Sequence, residues 1–126
     1  YILLDSLDAA VKGGRVQKFK KTIIDTLKIS PILSIGDDGS VITDGKLIGR
    51  NNVDNRFIKY INKKIGDSNK YKIGIVHGNC EQRALNFVKY FVDKIGKDNV
   101  IFSQIGPGLG THAGTNAIAI AVQKLD

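Results

Sequence analysis

A single cysteine, Cys80, is all the thiol this chain carries, so it holds no internal disulfide and no cysteine-based zinc site. Its two histidines, His77 and His112, stand without a patterned carboxylate, which gives no metal signature. No apolar stretch approaches the roughly 20 residues that a membrane-spanning helix needs. No secretory signal pattern is present either. Methionine is missing even at the first position. The chain opens on Tyr1-Ile2-Leu3-Leu4, a strand already under way, and the expectation is a piece of a longer protein. Acidic residues are the scarcer charge, 12 against 19 Lys and Arg, for a net +7. Such a surplus attracts nucleic acid, an acidic partner or anionic lipid, or it merely solubilises the surface. The lysines are spread along the chain and no recognised nucleic-acid module accompanies them, so no nucleic-acid partner is expected.

What is present is ordinary globular material, 42% apolar and 25% charged over 126 residues. That suffices for one domain burying roughly two-thirds of its unfolded surface. After the opening strand, Asp5 can cap a short helix over about residues 6–12, ended by Gly13-Gly14. Phe19, Ile23, Ile24 and Leu27 then repeat at helical spacing, with Lys18, Lys20 and Lys21 on the outer face. Pro31 forbids continuation of that helix. Residues 31–35 and 41–43, joined by the turn cluster Gly36-Asp37-Asp38-Gly39-Ser40, read as a hairpin. A second turn is expected at Asp44-Gly45, with a third short strand over residues 46–50. Val53, Phe57, Ile58, Ile61 and Ile65 mark a helix ended by Gly66. Ala84, Leu85, Val88, Phe91, Val92 and Ile95 mark another, ended by Gly96. The strands around the second helix, at 71–76 and 100–102, complete a βαβ unit and should lie parallel. An alternating apolar run follows over residues 117–122. The fold class is therefore α/β: a mixed β-sheet with flanking helices, including one βαβ crossover unit.

The densest signal is Ile105-Gly106-Pro107-Gly108-Leu109-Gly110-Thr111-His112-Ala113-Gly114. Glycines in such number let backbone approach a ligand closely or adopt positive φ, and a histidine among them exchanges hydrogen bonds near neutral pH. A tight structural loop satisfies the same residues. Dinucleotide and P-loop fingerprints both fail here, because Thr111 stands where a third glycine belongs and no G-x-x-x-x-G-K-S/T occurs. No G-x-S-x-G elbow accompanies either histidine. Cys80 stands three residues after His77 at an expected helix start, which is also the pattern of an incidental cysteine beside a strand-end histidine. Gly13-Gly14-Arg15 can turn sharply and aim a guanidinium at a carboxylate or phosphate, or can be a helix cap followed by a surface arginine.

Four segments occur in order: Asp5-Ser6-Leu7 with Lys12-Gly13-Gly14-Arg15-Val16; Leu27-Lys28-Ile29-Ser30-Pro31-Ile32-Leu33; Asp38-Gly39, Lys46 and Gly49-Arg50; and the glycine-rich run ending in His112-Ala113-Gly114. Together they resemble the C-terminal domain of the DegV family, which includes the fatty-acid-binding subunits of bacterial fatty-acid kinases. Two departures stand out. Family members commonly continue G-P-G after the histidine, where this chain has Gly114-Thr115-Asn116. The family's N-terminal α/β domain, which supplies hydroxyl residues to the carboxylate, is not in this sequence.

The resemblance implies a lipid carrier that presents a long-chain fatty acid to a separate kinase subunit, which makes the acyl phosphate. It implies no catalytic residue in this chain; no cofactor or metal is expected, and the single cysteine fits a cytoplasmic, reducing setting. Arg15 and His112 would hold the head group, aided by Gly13, Gly14, Gly110 and Thr111. Leu27, Ile29, Ile32, Leu33, Phe57, Ile61, Phe91 and Ile118 would line the acyl slot, though ordinary core packing accounts for each singly. The N-terminal domain of the whole protein would close the site. Lys18, Lys20, Lys21 and Arg50 would offer an acidic kinase domain a basic docking face. Burial of each methylene is worth about 0.8 kcal/mol, so a long acyl chain offers on the order of 10 kcal/mol before ordering costs. The competing readings are a basic protein-interaction or nucleic-acid-binding module without lipid, and a small hydrolase using His77 or His112.

Overall fold

A computed structural model describes residues 1–4, 29–66, 70–104 and 116–125. The two helices expected between residues 6 and 28, Leu27, and the glycine-rich run with His112 lie outside those residues. The described chain forms β1 (Ile2–Leu3), β2 (Ile29–Ile35), β3 (Val41–Ile48), α1 (Val53–Ile65), β4 (Tyr71–His77), α2 (Glu81–Ile95), a short 3-10 turn (Lys97–Asn99), β5 (Val100–Gln104) and β6 (Ile118–Lys124). These strands make one six-stranded sheet in the order β3-β2-β1-β6-β4-β5. Only β4 and β5 pair in parallel, across the α2 crossover; every other pairing is antiparallel. The mixed α/β sheet and its βαβ unit are as the sequence predicts.

Hydrophobic spacing explains where the core sits. Phe57, Ile61 and Ile65 recur every fourth residue on α1, and Ala84, Phe87 and Phe91 form the buried stripe of α2. They pack on Leu3, Ile32, Leu47, Tyr71, Ile73, Ile75, Ile118 and Ile120 of the sheet. Phe57 and Phe87 meet edge to face with centroids 6.0 Å apart, a favoured aromatic geometry. On the outer side, Lys94 Nζ donates to Asn62 Oδ1 and Asn62 Nδ2 donates to Tyr90 Oη, both at 2.7 Å, tying α2 to α1. Strand alternation puts Ile2, Ile29 and Leu33 on the sheet's other face, where Ile29 and Leu33 are buried as well.

Pro31 stands inside β2, a strand with neighbours on both sides. It is tolerated because it opposes Leu4, just past the end of the two-residue β1, and contributes only its carbonyl, to Leu4 N–H at 3.2 Å. The expected hairpin is present. Asp38 Oδ1 accepts from the Ser40 amide and hydroxyl, which holds the Asp38 carboxyl below its ordinary range.

Asp44-Gly45 is not a turn. Strand β3 runs unbroken from Val41 to Ile48, and the dipeptide instead marks a bulge, where Ile32 pairs with Gly45 but Leu33 with Thr43. The reason is tertiary. Tyr60 of α1 lies over Gly45, and a Cβ there would stand 2.6 Å from the phenol oxygen, so the strand needs glycine for close approach. The Tyr60 hydroxyl donates to Asp44 Oδ2, and Lys64 pairs with the same oxygen at 3.2 Å. The Tyr60 bond holds the Asp44 carboxyl below its ordinary 3.8, while burial and then the carboxylate push the Tyr60 phenol above its ordinary 10.0. A lowered carboxyl adds stability above its ordinary value and loses it as pH falls. A raised phenol adds stability below its ordinary value and loses it as pH rises. The pair therefore holds α1 to β3 across the whole neutral range.

Candidate functional site

Direction of travel along the strands creates one distinctive end of the sheet. Strands β1, β4 and β5 all run towards it, finishing at Leu3, His77 and Gln104. Strands β2 and β6 start there, and β3 finishes there at Ile48. Both helices begin at this end, with their first turns at Val53 and Glu81. The residues flanking the segment 5–28 (Leu4, Ile29) and those flanking 105–115 (Gln104, Asn116) all lie here. The carboxyl ends of parallel strands and the amino ends of helices are where α/β folds receive ligands, and helix N-termini favour negative charge.

Three arginines reinforce this end. Arg56 donates to the carbonyls of Ile48, Gly49 and Asn51 at 2.7–3.0 Å and so shapes the β3–α1 connection. Arg50 Nη1 reaches the buried Ser30 hydroxyl at 3.3 Å. Arg83, in the first turn of α2, grips the Asp54 carboxylate of α1 with Nε and Nη2 at 2.7–3.1 Å, and its Nη1 donates to the Asn116 carbonyl at 2.6 Å. Arg50, Asn52, Val53, Asp54, Asn55 and Arg83 line an open polar recess of about 440 Å³.

His77 closes the β4–α2 connection. It is 6% exposed, its ring stacks on Phe102 of β5 at 5.4 Å, and its Nδ1 accepts the Cys80 amide at 3.0 Å. The lone pair a general base would use is thus committed to the backbone. Cys80 is the N-cap residue of α2, as its sequence position suggests, and its thiol donates to the Ala117 carbonyl at 3.5 Å. Gly78 N–H donates to Ala117 O at 2.9 Å, and Asn116 N–H donates to Gly78 O at 2.7 Å. Asn116 has φ 66°. This is the position where the family resemblance has its last glycine, and asparagine is among the few other residues that take a left-handed backbone readily. The departure therefore keeps that backbone conformation accessible.

The sequence-predicted site residues divide into three groups. Arg15, His112, Gly13, Gly14, Gly110 and Thr111 lie outside the described residues, as do Lys18, Lys20 and Lys21. Ile32, Phe57, Ile61, Phe91 and Ile118 are in the closed core between sheet and helices, each 0% exposed. Ile29 and Leu33 are buried on the opposite sheet face. Arg56 and Arg83 were not singled out by sequence pattern. Their partners are backbone carbonyls or residues far along the chain, which periodicity does not register. Among the described residues no cluster of three or more His, Cys, Asp or Glu side chains could hold a metal ion, and no helix is long and apolar enough to cross a membrane.

Comparison with known proteins gives this arrangement relatives. A DegV domain-containing protein of Streptococcus pneumoniae is 31% identical over 121 residues, covering 95% of this chain and 42% of that protein. The chain thus spans less than half the length of this curated relative. Two solved structures superpose on 99% of this chain and 44% of theirs with TM-score 0.77. One, 23% identical, is described as a fatty acid binding DegV family protein from Streptococcus agalactiae. The other, 22% identical, is a DegV family protein from Eubacterium eligens loaded with heptadecanoic acid. Residues 1–125 match the family model described as "Uncharacterised protein, DegV family". By that match over nearly its whole length, the chain belongs to the DegV family.

Proposed function

We propose that this chain is the acyl-holding part of a fatty-acid carrier, one that presents its ligand to a separate kinase subunit for conversion to the acyl phosphate. The observation that carries the proposal is the shared end of the sheet. The residues flanking segment 5–28, which carries Arg15, and those flanking segment 105–115, which carries His112, all stand at that end, although Arg15 and His112 are 97 positions apart in sequence.

 The helix amino ends and the arginines there suit an anionic head group. On this reading Arg15 and His112 hydrogen-bond the carboxylate, with Gly13, Gly14, Gly110 and Thr111 beside them. Ile29 and Leu33, buried on the face away from the helices, are the described acyl candidates outside the closed core. The likeness to proteins described as fatty acid binding supports the ligand class.

The kinase role is tested with the full-length protein, ATP, a long-chain fatty acid and a fatty-acid kinase subunit. Acyl phosphate is expected only when all four are present. Turnover without the kinase subunit would contradict the carrier role. A salt-dependent gel shift with DNA, in a protein that takes up no fatty acid, would favour the nucleic-acid reading instead.

A further inference from the structure

We propose that Arg83 is a positioning residue for the head group, fixing where the chain re-enters the sheet after the histidine-bearing segment. The inference rests on the reading of residues 105–115 given above; its geometry is independent of that reading. A guanidinium is a rigid planar fork. The Asp54 carboxylate occupies the Nε and Nη2 positions, so the plane of the fork is set by α1. Nη1 of the same fork donates to the Asn116 carbonyl, 2.6 Å away.

Asn116 is the first described residue after that segment and stands four positions beyond His112. Its amide is already fixed on the Gly78 carbonyl, and the next carbonyl, of Ala117, takes the Gly78 amide and the Cys80 thiol. The β4–α2 connection therefore fixes the height of this backbone, and Arg83 fixes its tilt through the left-handed Asn116. The Arg83 side chain is 21% exposed and that of Asp54 36%, so the pair is partly shielded from water. A purely structural bridge between α1 and α2 would need only the Asp54 bonds. The further bond, to the Asn116 carbonyl that follows the glycine-rich segment in sequence, is what makes the arginine a positioning group. Lysine could keep the charge but not hold both partners in one plane.

The test uses the full-length protein with heptadecanoic acid as probe. It compares wild type with Arg83→Lys, Asp54→Asn, their double variant, and Lys94→Ala, which breaks the distant Asn62 bridge instead. Dissociation constant, melting temperature and the imidazole NMR signal of His112, assigned by its loss in His112→Gln, are read for each. Arg83→Lys is expected to weaken binding about tenfold, within the range exerted by residues that never touch the ligand, and to shift the His112 signal. Asp54→Asn should move both readouts the same way, and the double variant should be no worse than Arg83→Lys alone. Lys94→Ala should lower the melting temperature and leave both untouched. Unchanged affinity or an unchanged His112 signal in Arg83→Lys, with wild type binding the acid, overturns the role of Arg83 alone. Equal weakening by Lys94→Ala reduces that role to stability and overturns it too. A wild type that binds no heptadecanoic acid overturns the carrier reading, and this inference with it.

Discussion

Phe91→Ala is expected to cost about 3–5 kcal/mol of folding stability, the range for truncating a buried aromatic. Phe91 is 0% exposed in the α2 stripe, packed with Phe57, Phe87 and the sheet residues Ile73 and Ile75, and its ring meets Tyr90 at 5.0 Å. Truncation leaves a void that close-packed neighbours fill only in part. Urea denaturation of ligand-free protein measures the loss. The same variant separates two roles for the side chain. If Phe91 belongs to the closed core alone, preference among fatty acids of different length stays as in wild type once the folded fraction is accounted for. If it also lines the acyl slot, the shorter side chain shifts that preference towards longer or bulkier acyl chains while stability falls less.

Arg15→Ala in the full-length protein is expected to act in the opposite sense, with a large loss of function and a small loss of stability. On the proposed reading the guanidinium makes a charge-assisted, two-pronged contact with the carboxylate. Hydrogen bonds to charged groups are worth roughly 1.5–3 kcal/mol, or about tenfold to a hundredfold in affinity. Acyl-phosphate formation should fall by a comparable factor while the melting temperature of the ligand-free protein moves little. A melting temperature that collapses together with activity would make Arg15 a structural residue.

Much of the fold was legible in the sequence because it is local. Fourfold spacing of Phe57, Ile61 and Ile65 writes one helix and Gly66 its end. The alternation in Tyr71, Ile73 and Ile75 writes a strand with one buried face. The errors came where distant residues decide. Asp44-Gly45 has the composition of a turn, yet Tyr60, fifteen or so positions on, makes it a bulge in a continuous strand. Leu85 was counted in the apolar stripe of α2 but is 39% exposed, and Phe87, not counted, is fully buried. Both fit a helical period; only the direction of the sheet chooses between them. The polar end of the molecule was the least legible. Arg83 reads as a solvated charge until Asp54, 29 positions earlier, and Asn116, 33 positions later, are brought to it by the fold. Motif order points to Arg15 and His112, which lie outside the described residues; the strand directions bring the residues flanking both of their segments to a common end of the sheet, a relation that no local pattern contains.

The central claim, that this chain helps enclose a fatty acid, is tested most directly by what the protein carries. The full-length protein is purified without added lipid, extracted with organic solvent, and the extract is analysed by mass spectrometry against a protein standard. The account predicts long-chain fatty acid in near-equimolar amount to the folded chain. Extracts free of fatty acid at every stage of purification, from a protein that also takes up none when it is supplied, would contradict it.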